Sequence, residues 1–496
     1  MCGAFHLPPC AASNKLISRS FLLQLTPRGK PVGRHFIFAK PYHMAASIRA
    51  AALLLAALLL SPARAAQFEG LGFLPDGTTS NAFDVSADGS VIVGGETDFP
   101  VIPNGRPFLW TAQTGMWTPQ ADYPFLSGGM FNAVSADGRT AVGGAAYFFS
   151  PGYRGVPTRW TADDGLQRIA EDVQSKTWSA SLAISPDGGW CLIRSLNSSF
   201  ELGTNISLHR WNTQTGTQLL DPSPQQSINS LFWTDVSSGG GRVIARDYID
   251  GNYGGFLWDE SDGYIPLGFS YPYRISPDGA TAIGWDYHVG NPNEAVRWTE
   301  ATGPQLLGIV PGHAGSAATG ISADAQRIVG NGTPDLLNPN DECFIWDPLN
   351  GIRDLNQVLS QHYDLADQLA GWSGKWVNAL SDDGRTIVGW GTDPDGHTQA
   401  FRIVLNATGD ANDDGLIDGA DYTLWADHFQ QDNPLVAQGD FNTDGKVDGA
   451  DYTLWADHYQ PVASAALPVP EPTAWALALV GAASAVLHYW RAGRRV

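Results

Sequence analysis

Residues 132–145 read NAVSADGRTAVGGA, and residues 157–165 read PTRWTADDG. Two short alternating apolar runs flank Asp137-Gly138, and a third run ends in Trp160 before a polar turn at Gly165. An Asp-Gly pair between alternating runs makes a hairpin turn, because the turn needs φ > 0 and Gly and Asp tolerate it. The local reading is strand, tight turn, strand, loop, aromatic strand, turn, and then a short fourth strand such as LQRIA.

The pattern recurs from Gln67 to Leu405. Further copies lie at 82–96 with 106–115, 182–195 with 208–216, 273–286 with 294–303, 319–332 with 342–351, and 378–391 with 399–409; a weaker one lies at 233–247 with 254–263. The anchoring serines are Ser86, Ser135, Ser185, Ser237, Ser276, Ser322 and Ser381. Four strands every 40 to 60 residues describe a propeller blade, and no four-stranded sheet buries both faces without neighbours. An all-β, seven-bladed propeller over residues 67–405 follows. Trp110, Trp160, Trp211, Trp258, Trp298 and Trp346 hold one place in six blades and are read as inter-blade core. The seventh copy has no fourth strand of its own, while FEGLGFLPDG from Phe68 resembles the fourth strand QLLGIVPG of the fifth. Residues 68–74 are therefore expected beside 400–405, closing the ring and leaving no open edge.

The core S-[AP]-D-G-x-x-[VI]-G resembles the HAF repeat of bacterial extracellular proteins, a family defined by its repeat rather than by an activity. The SPDG turns are also similar to WD-like propeller repeats and to the Asp-boxes of sialidases. An Asp-box needs Thr-Trp shortly after its Gly, and no copy here has it.

A second repeat follows. DANDDGLIDGADYTLWADHF and DFNTDGKVDGADYTLWADHY start at Asp410 and Asp440, 30 residues apart. Each opens as D-x-N-x-D-G-x-[IV]-D-x-x-D, with oxygens at loop positions 1, 3, 5, 9 and 12, a carbonyl at 7 and Gly at 6. A hard cation takes six to eight such oxygens, with Gly at the sharp turn. The first loop offers Asp410, Asn412, Asp414, the Leu416 carbonyl, Asp418 and Asp421 to one Ca²⁺. The second offers Asp440, Asn442, Asp444, the Lys446 carbonyl, Asp448 and Asp451 to another. Repulsion among acids in the metal-free loops would couple binding to folding. Ile417 and Val447, at position 8, are expected to pair across the loops. Tyr422, Leu424, Trp425 and Phe429, with Tyr452, Leu454, Trp455 and Tyr459, are expected to form a small core.

These residues resemble a dockerin type I module over about 406–460. The resemblance implies two calcium loops, each followed by one helix, and a cohesin-like surface protein as partner. Asp at position 12 fits that family. Positions 10 and 11, Ser-Thr in many cohesin-binding members, are Gly419-Ala420 and Gly449-Ala450 here.

Both ends read as address labels. Residues 1–43 are basic and without acids, and translation is expected to start at Met44, with a long leader as the alternative. Residues 44–65 have Arg49, an apolar run and Ala63-Arg64-Ala65, the order of a signal peptide. After a linker at 461–468, residues 469–496 hold Pro470-Glu471-Pro472, an apolar run over 473–490 and terminal arginines. This run is just long enough to cross a bilayer. The three-part order resembles the PEP-CTERM sorting signal, which implies export, processing by an exosortase-type protease, transient or permanent membrane anchoring, and a link to extracellular polysaccharide.

The formal net charge is −21, and residues 406–460 carry twelve acids against Lys446 alone. Such a field excludes nucleic acid and anionic membrane surfaces as partners. Only Cys191 and Cys343 remain beyond the leader, too few for a disulfide scaffold.

No H-E-x-x-H, G-x-S-x-G, P-loop or dinucleotide fingerprint occurs. The Asp of each S-x-D-G turn is read as turn chemistry. Two functions are left: an exported, non-catalytic propeller scaffold with a calcium-dependent docking module, or a carbohydrate-active component, a hydrolase of O-glycosyl bonds or a polysaccharide binder, targeted by that module. Carboxylates 5–10 Å apart in the channel would favour the second, and a channel of small apolar groups the first.

Overall fold

The computed structural model describes residues 66–460, apart from 97–104, 120–125, 150–151, 171–177, 200–202, 221–233, 250–251, 288–291 and 333–341. The expected signal peptide, linker, sorting signal and span 473–490 lie outside these residues. Among the described residues, no helix is long and apolar enough to cross a membrane.

The chain forms a seven-bladed β-propeller. In the first blade Asn81–Val85, Ile92–Glu96, Arg106–Thr111 and Gly115–Trp117 pair antiparallel in sequence order. The next five blades repeat this order, and their fourth strands fall on the expected segments, such as Gly165–Arg168 and Gly351–Asp354. The seventh has three strands of its own, Ser373–Leu380, Thr386–Thr392 and Thr398–Val404. Its fourth is Gln67–Gly70, in the register Gln67↔Val404 to Gly70↔Phe401. The N-terminal segment thus closes the ring where the repeat count requires it.

The serine motif explains why the turns are alike. Ser135 Oγ donates to Asp137 Oδ1 (2.6 Å) and accepts from Thr140 N (3.0 Å), while Asp137 Oδ1 also accepts from Arg139 N (3.0 Å). The same three bonds recur at Ser86, Ser185, Ser276, Ser322 and Ser381. In the fourth blade Gly239 replaces the Asp, and Ser237 Oγ turns to the Arg242 carbonyl instead (3.3 Å). The Asp is turn chemistry, satisfying backbone N–H groups that would otherwise be left without acceptors.

Seven apolar clusters fill the seven blade interfaces. Trp110 packs with Ala379, Val388 and Ala400 of the last blade, and Trp160 with Val93 and Leu109 of the first. Trp298 meets Ile244 and Leu257, and Trp211, Trp258 and Trp346 sit half-buried at the same place between their blades. Cys191 and Cys343 are buried in different blades and form no disulfide with each other, and burial pushes the Cys191 thiol up to about 12.

A hydrogen-bond belt runs around one channel mouth through the residues that follow the serines. Ala87 N donates to Ala136 O, Ala136 N to Pro186 O, Ser238 N to Pro277 O, Ala323 N to Asp382 O, and Asp383 N back to Ala87 O. Pro186 and Pro277 accept but have no N–H to pass on. Between the third and fourth blades Asp187 Oδ2 accepts from Gly239 N instead (3.1 Å). Among the described residues, no belt bond joins the fifth and sixth.

The sequence reading missed two helices, Leu355–His362 and Ala366–Leu369, inserted between the sixth and seventh blades. Asp354 caps the first through Gln357 N (2.7 Å), and Leu355, Val358 and Leu359 bury its inner face against the ring.

Candidate functional site

After the last blade the chain forms two loop–helix units, with helices Gly419–Asp427 and Gly449–His458. In the first loop Asp410 accepts from Asp414 N (3.1 Å) and Gly415 N (3.0 Å), Asn412 Oδ1 from Asp414 N (2.9 Å), and Asp414 Oδ1 from Leu416 N (2.9 Å). Asp418 Oδ1 caps the helix at Ala420 N (2.7 Å), and Asp421 reaches back to Ala411 N, Asn412 N and Asp418 N. The second loop repeats this with Asp440, Asn442, Asp444, Lys446, Asp448 and Asp451. Asp413 and Gly415, like Thr443 and Gly445, have left-handed backbones that fold each loop inward.

The proposed ligand positions thus share two tight loops, with Asp410, Asp421, Asp440 and Asp451 fully buried. Burial, and then the charges of Asp421 and Asp414, push the Asp410 carboxyl up. Burial, with Asp440 and Asp444 adding to it, pushes Asp451 up to about 6. As the side chains stand, no three His, Cys, Asp or Glu among the described residues are grouped to hold a metal ion. The loops would add Asn oxygens, a carbonyl and the second lone pairs of carboxylate oxygens already bonded to N–H groups.

The two units are joined reciprocally. Trp425 Nε1 donates to Asp448 O and Trp455 Nε1 to Asp418 O, both at 2.9 Å. The position-8 carbonyls bond across units as well, but not to each other: Val447 O accepts from Gln430 N (2.8 Å) and Ile417 O from Gln460 N (2.9 Å). Both side chains are buried in the module, Ile417 and Val447 alike, and their carbonyls are taken by the segments after the helices. The aromatic core needs correction. Ala411, Val436 and Phe441 form the centre, with Leu424, Trp425, Leu454 and Trp455 partly buried around it. Tyr422, Phe429, Tyr452 and Tyr459 are 41–47% exposed, because two short helices cannot cover four large rings.

The missed insertion is the platform for this module. Tyr363 packs on its core, and His362 Nδ1 lies 3.2 Å from Asp440 Oδ2. Asn350 Nδ2 donates to Asn442 O (2.8 Å), Arg353 Nη1 to Thr443 O (2.9 Å), and Arg385 Nη2 lies 3.5 Å from Asp413 Oδ1. The capped D-L-N-Q start and the apolar Leu355, Val358 and Leu359 were the available sequence signal for that helix.

The second candidate site is the ring axis. Two residues before each serine, the innermost strand carries Ala or Gly in four blades, and Asp84, Asp235 and Arg274 in the other three. Arg274 Nη2 crosses the channel to Asp84 Oδ1 (3.0 Å). Asp84 Oδ2 accepts from Val134 N (2.9 Å) and Asp235 Oδ2 from Ile275 N (3.0 Å), each on the next blade. Burial pushes Asp235 up to about 6 against the pull of Arg274. The channel is thus mostly small, with one charged sector whose acids also staple blades together.

No protein-family model and no curated protein matches the chain. Solved structures align with it at low identity and low TM-score. An oligogalacturonate lyase in complex with manganese has 15% identity and a TM-score of 0.45, over 69% of this chain and 94% of its own. The β-propeller domain of the Trilobed protease from Pyrococcus furiosus has 10% identity and a TM-score of 0.39, over 68% and 95%. TolB from Acinetobacter baumannii has 15% identity and a TM-score of 0.32, over 46% of this chain and 54% of its own, so the match spans about half of TolB. At these values the likeness concerns the fold alone.

Proposed function

We propose that this is an exported, non-catalytic propeller scaffold that displays a calcium-dependent docking module. One observation carries the reading: twelve named loop positions recur in register, with the same backbone turns and N–H bonds, and crowd buried acids that repel one another without a cation. Asp410, Asn412, Asp414, Leu416 O, Asp418 and Asp421 would hold one Ca²⁺, and Asp440, Asn442, Asp444, Lys446 O, Asp448 and Asp451 the other. The ion would supply the positive charge that lets the acids stay ionised and buried. The exposed rings of both helices are then presented together, the arrangement suited to a cohesin-like surface partner. The leader and tail motifs support delivery to the cell surface, near extracellular polysaccharide.

Titration calorimetry of residues 66–460 with Ca²⁺, followed by pull-down from a surface extract with and without EDTA, tests this. Two sites filled per chain and a partner retained only with Ca²⁺ are expected. Absence of calcium heat would remove the reading.

A further inference from the structure

The departures from the propeller repeat gather in one place. The residue after the anchoring serine is Ala, Pro or Ser in six blades and Asp382 in the seventh. Asp382, Asp84, Asp235 and Arg274 all line a single pocket on the ring axis, with a cavity volume of about 70 Å³ and residues from all seven blades in its wall. The other blades carry Ala, Gly, Pro or Ser at these positions and still take their place in the ring, so a blade does not require the charges.

Their pairing leaves an imbalance. Arg274 is matched by Asp84 at 3.0 Å. Asp235 is nine-tenths buried and spends Oδ2 on Ile275 N. The Asp382 carboxylate has no hydrogen bond or ion pair among the described residues, and burial with the nearby Asp84 and Asp383 charges pushes it up to about 6. Three carboxylates thus face one guanidinium in a confined space. The remaining wall is apolar side chains, among them Val85, Ile184, Ile275 and Leu380.

We propose that this axial pocket binds a small organic dication, with Asp382 accepting from one ammonium end, Asp235 from the other, and the apolar wall around the alkyl stem. A bare divalent ion needs oxygens on all sides. An alkylammonium needs acceptors only at its three N–H groups, and apolar surface along its carbons. The site is separate from the calcium loops and stands whether or not they bind metal.

The probe is 1,4-diaminobutane, titrated into residues 66–460 with the loops held at saturating Ca²⁺, with 1,4-butanediol and Mg²⁺ as controls. D382A installs the repeat's own residue and leaves intact the Asp382 carbonyl that accepts from Ala323 N. D235N keeps an acceptor for Ile275 N. Saturable diamine binding, weakened about tenfold or more by each variant, is expected, with no binding of the diol. Three results would overturn the proposal: no diamine binding to the parent chain, equal binding in D382A, or Mg²⁺ displacing the diamine one for one.

Discussion

Each propeller interface closes over side chains such as Phe108, Phe131, Phe344 and Phe401, all fully buried. The two loop–helix units bury carboxylates instead, Asp410, Asp421, Asp440 and Asp451, and leave Tyr422, Phe429, Tyr452 and Tyr459 largely in solvent. Both regions are repeats, but apolar burial is independent of solutes whereas a buried carboxylate needs a compensating charge. The ring should therefore be stable without added ions, and the module should depend on them.

The sharpest way to break this contrast is to remove the ions. With EDTA, the helical signal of the module is expected to melt while the strand signal of the ring persists; at calcium about 100-fold above Kd each filled site adds about 2.7 kcal/mol. The double variant D410A/D440A should abolish that gain in circular dichroism thermal scans. A module that melts identically in EDTA and calcium would erase the distinction.

The reverse experiment strikes the ring. Phe68 is buried against Trp372 and Phe401, at ring distances of 5.1 and 5.3 Å. F68A should cost about 3–5 kcal/mol in urea unfolding followed by tryptophan fluorescence. Calcium affinity should change little. Within the ring, S135A removes a donor to Asp137 and the acceptor of Thr140 N, a loss of about 1–3 kcal/mol. S237A, in the blade whose turn has no Asp, should cost less by the same measurement.

Buried acids act in the ring as well as in the module. Burial pushes Asp235 up to about 6 in the folded ring from 3.8 for the free side chain, so the folded state holds the extra proton. Its stabilising contribution is full below 3.8 and is lost as pH rises through 6. D235N should remove that loss, raising Tm relative to the parent more at pH 8 than at pH 5. The smallest expected effect lies at the junction. R353A deletes the bond to Thr443 O and should weaken the second calcium site by at most about tenfold, leaving the first unchanged.

The ring was legible because its repeats carry the turn chemistry in consecutive residues, Ser135 to Thr140, and because Gln67–Gly70 supplies the strand the seventh copy lacks. The turns of the two later loops were legible for the same reason: their N–H bonding is local. The aromatic helices misled because the 3.6-residue spacing says which rings share a face, but not whether anything covers it. The insertion at Leu355–His362 and the charged sector at Asp84, Asp235 and Arg274 were passed over because each interrupts a repeat. Their role appears only when residues 190 positions apart, such as Arg274 and Asp84, meet across the axis.

Pro186 and Pro277 have one more consequence. The covalent break in the circle, where N- and C-terminal strands meet, is zipped by a full ladder and by Asp383 bonding to Ala87. The seam that the belt leaves unbonded lies elsewhere, between the fifth and sixth blades at Pro277 and Ala323, and among belt and core contacts it is held by its apolar cluster alone. Arg274, on the fifth blade, reaches away from that seam to Asp84 of the first. Breathing of the disc should start there, next to the axial pocket, giving a small guest a door that opens without unzipping the closure.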